Sequence, residues 1–333
     1  ADGGPILLVI RDPTRNVERH RELDPYRSCL QTDGCFGPMG ALAAMAMVIG
    51  DGLRLMWHLR TSPPQLFYQV AALPYRRAVL RAFFNRFRPK FFWGRDDYNV
   101  EHILRREELS RVGGTSLGIN HGFPVYCHLF PVWRYISFDR YYVFGRAIYD
   151  RYLKDSWASD MAVVPVGSFG ATRADYEGRA MARPDDMVVF TGVFIGQPGL
   201  TQLVRGLATE FPDRKILLQL KAIFVDTEVG DAFLAACTED LPNVVPTKAP
   251  IFELFTQARY AFSDPSTVLL EALQFGMTTF AADISPIQKV SILREFPDLC
   301  VTSPEQAASR IRAIEAGTWN YPRDSFGDLI DLS

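Results

Sequence analysis

The stretch Tyr260-Ala-Phe-Ser-Asp-Pro-Ser-Thr-Val-Leu-Leu-Glu-Ala-Leu-Gln-Phe-Gly276 carries the reading of the fold. Four residues, Tyr260–Ser263, have the composition of a short buried strand. A turn follows, and then an apolar-periodic helix begins near Val268. Asp264 or Ser266 can cap that helix, and Pro265 suits its first turn. A helix that opens on Ser266 and Thr267 offers hydroxyls, unpaired backbone N–H groups and the positive end of its dipole, which together favour phosphate. The alternative is an ordinary capped helix, since many helices start with Ser or Thr.

Outward from this stretch, residues 187–316 alternate Val-, Ile- and Phe-rich runs with amphipathic segments, the pattern of a parallel sheet with crossover helices. Strands are expected at 187–192, 215–221, 243–246, 260–263, 278–281 and 299–301. Helices are expected at 199–210, 229–237, 251–257, 268–275, 286–295 and 305–316. The first half holds a less regular set. Its strands are expected at 6–10, 67–70, 91–93, 116–119, 141–144 and 162–165, and its helices at 39–59, 76–87, 100–112 and 148–154. The polar stretch 170–186 reads as a linker. The expected fold is α/β, with two Rossmann-like domains facing across a cleft. The N-terminal domain would be 1–170 on the acceptor side and the C-terminal domain 187–316 on the donor side, with a tail, 317–333, returning to the first.

Composition narrows the class. A chain of 333 residues, 48% hydrophobic and 22% charged, has room for two domains with substantial cores. A net charge of −2 gives no global attraction to nucleic acid. Arginine supplies 30 of 36 basic residues, a bias that fits bidentate gripping of phosphates and carboxylates but also fits genome composition. The five cysteines are odd in number and lack C-x-x-C spacing. Neither a disulfide framework nor a zinc cluster is indicated, no cofactor is called for, and a reducing cytoplasm is the expected compartment. The apolar run Gly40–Ile49 is too short to span a bilayer. The first residues lack the basic region of a signal peptide.

Three motifs bring in a family. Ser116-Leu-Gly-Ile-Asn-His-Gly122 is similar to a strand followed by His-Gly at the cleft edge. Phe138-Asp-Arg-Tyr-Tyr-Val-Phe-Gly145, followed by Val163-Val-Pro-Val-Gly167, is similar to closing N-domain strands that end in glycine turns. Ser263 to Gly276 is similar to a donor-phosphate motif. In this order and spacing, over about residues 90–285, they resemble GT-B nucleotide-sugar glycosyltransferases of bacterial surface polysaccharide assembly, capsule or lipopolysaccharide. Some relatives there use CMP-linked acidic sugars such as 3-deoxy-octulosonic acid (Kdo).

The resemblance implies transfer of a sugar from a CMP-, UDP- or GDP-linked donor to a glycan or lipid-linked glycan, without an essential metal. It places Ser266 and Thr267 on the donor phosphate and Glu271 on the donor ribose or sugar. Lys221, ending the strand 215–221, would face an anion. Gly192 would allow close backbone approach, or serve as turn chemistry only. His121, directly after an apolar strand and beside Asn120, could act as a base or orient the donor.

The densest polar cluster, Gly94-Arg-Asp-Asp-Tyr-Asn-Val-Glu-His102, follows an aromatic strand. Asp96 and Asp97 are the leading catalytic carboxylates, as base or nucleophile, with Arg95 and Glu101 beside them. The competing reading makes Asp97 a helix cap and Glu101 a first-turn acid. Asp33, in the glycine-rich loop 32–41, is a further cleft candidate. Residues 76–90 interleave arginines with Phe83, Phe84 and Phe87, which suits peripheral contact with the inner membrane as well as ordinary packing with a cationic face. The runner-up activities are a non-hydrolysing sugar-nucleotide epimerase and a catalytically inactive scaffold.

Overall fold

The computed structural model describes residues 7–10, 27–30, 38–94, 101–120, 122–127, 131–168, 170, 183–192, 195–284 and 291–332. These fall into two compact units. One takes the described residues up to Ile119 together with Tyr135–Tyr141 and Trp157–Ala162. The other takes Asn120–Arg134, Tyr142–Ser156 and the described residues from Val163 onward.

The first unit contains strands β1 (Leu7–Ile10) and β2 (Arg27–Leu30), paired in parallel with Leu7 opposite Arg27. Helices α1 (Pro38–Leu59), α2 (Pro64–Ala71) and α3 (Leu73–Phe87) follow, then β3 (Phe91–Gly94), α4 (Glu101–Ser110) and β4 (Thr115–Ile119). β3 and β4 pair in parallel from Phe91↔Thr115 to Gly94↔Gly118. They head a four-stranded sheet in the order β3-β4-β5-β6, of which β5 (Arg140–Val143) and β6 (Ala162–Pro165) only begin in this unit. Leu80, Phe83 and Phe84 of α3 bury against Leu109 of α4 and Phe92 of β3. α4 also buries an acid. Glu108 is fully enclosed and receives Arg77, Arg81 and Arg111 at 2.7–2.9 Å. Burial alone would raise its pKa, but the three guanidinium hydrogen bonds outweigh that and hold it at about 2.

Two sequence expectations in this unit are corrected. Residues 67–70, expected as a strand, lie within helix α2. The four residues Phe-Tyr-Gln-Val are too few to show a period of their own, and Pro64 suits the first helical turn. Strand β2 carries no apolar run in Arg27–Leu30 and was not expected at all.

The second unit is built on a six-stranded parallel sheet in the order β12-β11-β10-β7-β8-β9. Its strands are β7 (Met187–Phe190), β8 (Ile216–Gln219), β9 (Val244–Thr247), β10 (Tyr260–Ser263), β11 (Thr278–Ala282) and β12 (Cys300–Val301). The crossovers are α5 (Pro198–Glu210), α6 (Glu228–Thr238), α7 (Ile251–Gln257) and α8 (Thr267–Gln274), and α9 (Pro304–Glu315) follows β12. Strand residues alternate between faces as the pleat requires. Met187 and Val189 meet Leu203 and Leu207 of α5 and Ala307 and Ile311 of α9. Val188 and Phe190 meet Leu254 and Phe255 of α7 and Val268 and Ala272 of α8. Both faces are therefore covered by helices, which explains why β7 and β10 are buried throughout.

The chain's last described residues close on Phe144–Ala147 of the same unit. The Ala147 N–H donates to the Asp328 carbonyl, and the Asp331 N–H to the Phe144 carbonyl. Gly145 lies beneath this tail, where a Cβ would come within 2.3 Å of the Asp328 carbonyl oxygen. Leu329 and Ile330 are fully buried there.

Candidate functional site at the carboxyl ends of β10, β7 and β8

Numbered along the chain, the six strands run 3-2-1-4-5-6 across the sheet, so the winding direction reverses between β7 and β10. At such a switch point two neighbouring crossovers leave in opposite directions, and a crevice opens beyond the carboxyl ends of the strands. The register puts Ser263, Phe190 and Gln219 level with one another. The segments that follow them, 264–266, 191–192 and 220–221, therefore form one row along this edge.

Gly192 and Asp264 meet in that row. A Cβ on residue 192 would lie 2.1 Å from the Asp264 Oδ1, so only glycine lets the two backbones come this close. Asp264 is fully buried. Beside Gly192, the Thr191 Oγ1 accepts the Lys221 N–H at 2.8 Å and so fixes the turn that carries Lys221 past β8. The Lys221 side chain is exposed.

Ser266 is the N-cap of α8, with extended backbone at φ −148° and ψ 154°, but its hydroxyl makes no capping bond. Thr267 is differently engaged. Its Oγ1 accepts the Phe123 N–H at 2.9 Å, which ties the loop after Asn120 to the first turn of α8. A hydroxyl that accepts one bond retains its proton for donation to a ligand. Asn120 is buried, and its Oδ1 accepts the Gly122 N–H at 3.4 Å.

One turn along α8, Glu271 faces inward. Its Oε1 accepts the Ser168 Oγ–H at 2.9 Å, and the Ser168 N–H donates to the Gln274 Oε1 at 2.8 Å. Burial pushes the Glu271 pKa up, opposed by the Ser168 hydrogen bond. The far end of α8 is held by two arginines. Arg183 donates to the Phe275 and Gly276 carbonyls, and Arg323 to those of Leu273 and Gln274. Cations there satisfy carbonyls that the last turn leaves unpaired, and they complement the dipole whose positive end lies at Ser266.

Several groups in this region had no sequence signal. The Tyr126 hydroxyl is buried and makes no hydrogen bond to a described residue. Burial first, and then the negative fields of Asp264 and Asp283, push its pKa up to about 12. Ser168 donates to Glu271 and Gln274 accepts the Ser168 N–H, yet neither was singled out in the sequence as a site residue. Asp264 stood within the decisive stretch but read only as a cap.

Of the other sequence candidates, Asp33, Arg95, Asp96, Asp97 and His121 lie outside the described residues. Glu101 opens α4 in the first unit, paired with Arg105 at 2.8 Å and Arg76 at 3.4 Å. Gly192, Lys221, Ser266, Thr267, Glu271 and Asn120 all lie in the second unit, the first four of them along or just beyond the strand-end row. Among the described residues no group of three or more His, Cys, Asp or Glu side chains is arranged to hold a metal.

No family model matches the sequence, and no curated protein matches it. Solved structures do. The chain is similar to a UDP-GlcNAc 2-epimerase from Neisseria meningitidis bound to UDP-GlcNAc, at 10% identity over 95% of this chain and 84% of that one, with a TM-score of 0.54. It is similar to UGT89C1 of Arabidopsis thaliana, at 12% identity over 97% and 85%, with a TM-score of 0.51. The glycotransferase of kitacinnamycin matches at 15% identity over 98% and 86%, with a TM-score of 0.53. At these identities the likeness is one of fold. The chain has the mixed α/β, parallel-sheet fold of GT-B glycosyltransferases and the related epimerases.

Proposed function

We propose that the protein transfers a sugar from a nucleotide-linked donor to a glycan or lipid-linked glycan, with the donor phosphate seated at the carboxyl edge of β10, β7 and β8. The observation that carries this is the switch point itself. Gly192, Lys221 and the uncapped start of α8 share one row at the place where open α/β sheets bind ligands. In this reading the nucleotide phosphate is the leaving group, and negative charge grows on it as the glycosidic bond breaks. The α8 amides and the hydroxyls of Ser266 and Thr267 donate to it, and the Lys221 ammonium supplies positive charge. Glu271, one turn further, meets the donor ribose or sugar. Asp96, Asp97 and His121 are proposed for the acceptor side, within an N-terminal domain of 1–170 facing a donor domain of 187–316. Asp33, Arg95, Glu101 and Asn120 are secondary candidates, the nucleotide is CMP, UDP or GDP, and no metal is required. Bacterial capsule or lipopolysaccharide assembly remains the proposed setting.

A second reading is supported by the fold's likeness to a UDP-GlcNAc epimerase as well as to transferases. One experiment separates them. Thermal unfolding is followed with CMP, UDP and GDP at about 100 times Kd, where a ligand of the folded state adds about 2.7 kcal/mol. The expected result is stabilisation by one nucleotide, weakened in Lys221→Ala and Ser266→Ala. Incubation with UDP-GlcNAc alone then yields the 2-epimer if the second reading holds. Absence of stabilisation by all three nucleotides refutes both.

A further inference from the structure

Helix α1 is apolar on both sides, which is more than a helix that covers one core needs. Over its 22 residues, about 33 Å, the side turned out carries Leu42, Met45, Ile49, Leu53, Met56 and Trp57, each more than half exposed. The side turned in carries Met47, Val48, Leu55 and Leu59, all partly buried, together with the helix's one acid, Asp51, whose negative field reaches Arg81 of α3; the Met47 sulfur lies 3.1 Å from the Arg81 Nη1. Exposed apolar side chains on this scale mark an interaction surface rather than ordinary surface variety.

The charge of the same segment, with Arg54 on α1 itself and Arg60 directly after it, identifies what covers this face. Residues 38–94 hold eight cationic side chains and one acid, in a chain whose net charge is −2. Arg76, Arg77 and Arg81 turn to the acids of α4. Arg54, Arg60, Arg86, Arg88 and Lys90 are exposed. Three of these cations lie over aromatic rings: Arg60 at 4.2 Å from the Trp57 centroid, Arg86 at 5.1 Å from Phe87 and Lys90 at 5.6 Å from Phe91. Tryptophan beside cations at the rim of an apolar face is the composition of a helix lying in a membrane interface. A second copy would bring the same cations to the same face, and like charges oppose that contact. No helix among the described residues is long and apolar enough to cross a membrane.

We propose that the outward face of α1 lies in the interface of an anionic lipid membrane, with the cations of α1 and α3 and of the 88–90 turn at the headgroups. This rests on the first unit alone and does not depend on the activity proposed above. It goes beyond a contact through 76–90 by assigning the inserted element to α1.

The test is sedimentation of the intact protein with phosphatidylcholine vesicles, with and without 30 mol% phosphatidylglycerol. Binding is expected only with the anionic lipid, and it falls about ten-fold or more as salt rises from 0.05 to 0.5 M, since each basic residue near the surface contributes separately. Ile49→Ser combined with Leu53→Ser reduces binding about ten-fold, because both side chains leave the acyl boundary while the helix's inner face is untouched. Arg86→Gln with Arg88→Gln gives a similar loss without altering apolar area. Circular dichroism confirms that the variants fold. Absence of binding to anionic vesicles by the unmodified protein overturns the proposal. So does a concentration-dependent dimer that the Ile49→Ser, Leu53→Ser variant converts to monomer, which would assign the face to a second copy.

Discussion

Replacing Gly192 with alanine tests the geometry of the strand-end row directly. The added Cβ would stand 2.1 Å from the Asp264 Oδ1 and 2.5 Å from its Cγ and Oδ2, whereas ordinary contact begins at 3.4 Å. The carboxylate must therefore retreat by about 1.3 Å, or β7 and β10 must part by as much at their ends. Asp264 is fully buried in a unit whose strands β7 and β10 are packed on both faces, so there is little slack to absorb the movement. Overpacking of this kind costs about 1–3 kcal/mol. At roughly 2–4 °C per kcal/mol for a unit of this size, the melting temperature should fall by roughly 2–12 °C. Because Asp264 leads into Pro265 and Ser266, the same shift moves the start of α8 and should abolish the stabilisation given by the cognate nucleotide. Differential scanning calorimetry with and without nucleotide reads both effects. Gly52→Ala is the internal control: no atom lies within 4 Å of its Cβ, and alanine in a helix interior gains about 0.5–1 kcal/mol. If Gly192→Ala melts within 1 °C of the parent and still responds to nucleotide, the close approach of β7 and β10 is wrong, and with it the placement of the site.

Thr267→Val leaves the buried Phe123 N–H without its acceptor and should cost about 1–3 kcal/mol in urea denaturation, with Thr267→Ser close to the parent. Glu271 has a folded pKa raised by burial, so its contribution to stability is fully present below its unfolded pKa and is lost as pH rises through the folded value. Glu271→Gln should therefore gain stability relative to the parent as pH rises above the ordinary carboxylate range, and a difference that stays flat with pH would show a solvent-facing acid. Glu108 behaves oppositely. Its pKa is held at about 2, so its stabilisation is present above the ordinary carboxylate range and is lost as pH falls from 4.5 toward 2. Glu108→Gln should cost about 2–3 kcal/mol at pH 7, less than a wholly buried pair because the arginines keep some water, and the difference should vanish near pH 2.

By itself the sequence determined the second unit nearly strand by strand. All six strands of the large sheet overlap the runs that predict them, and the mark is plainest at β7 and β10, where burial on both faces selects largely apolar residues. The helix start at Ser266-Thr267 was legible for a similar reason, since caps are local chemistry. Where burial is one-sided or the run is short, the mark failed. Residues 67–70 read as strand and fold as helix, and β2 gave no signal. The apolar content of α1 was visible in the sequence, but its outward direction was not, because periodicity identifies a face without saying what lies against it. Tertiary structure alone decided the strand order, and so the switch point between β7 and β10. It also brought Gly192 against Asp264 across 72 residues of chain, and Ser168 against Glu271 across 103. Contacts of that separation arise from which strands lie side by side, and strand order is set by the energy of the whole packed sheet, which no local stretch records.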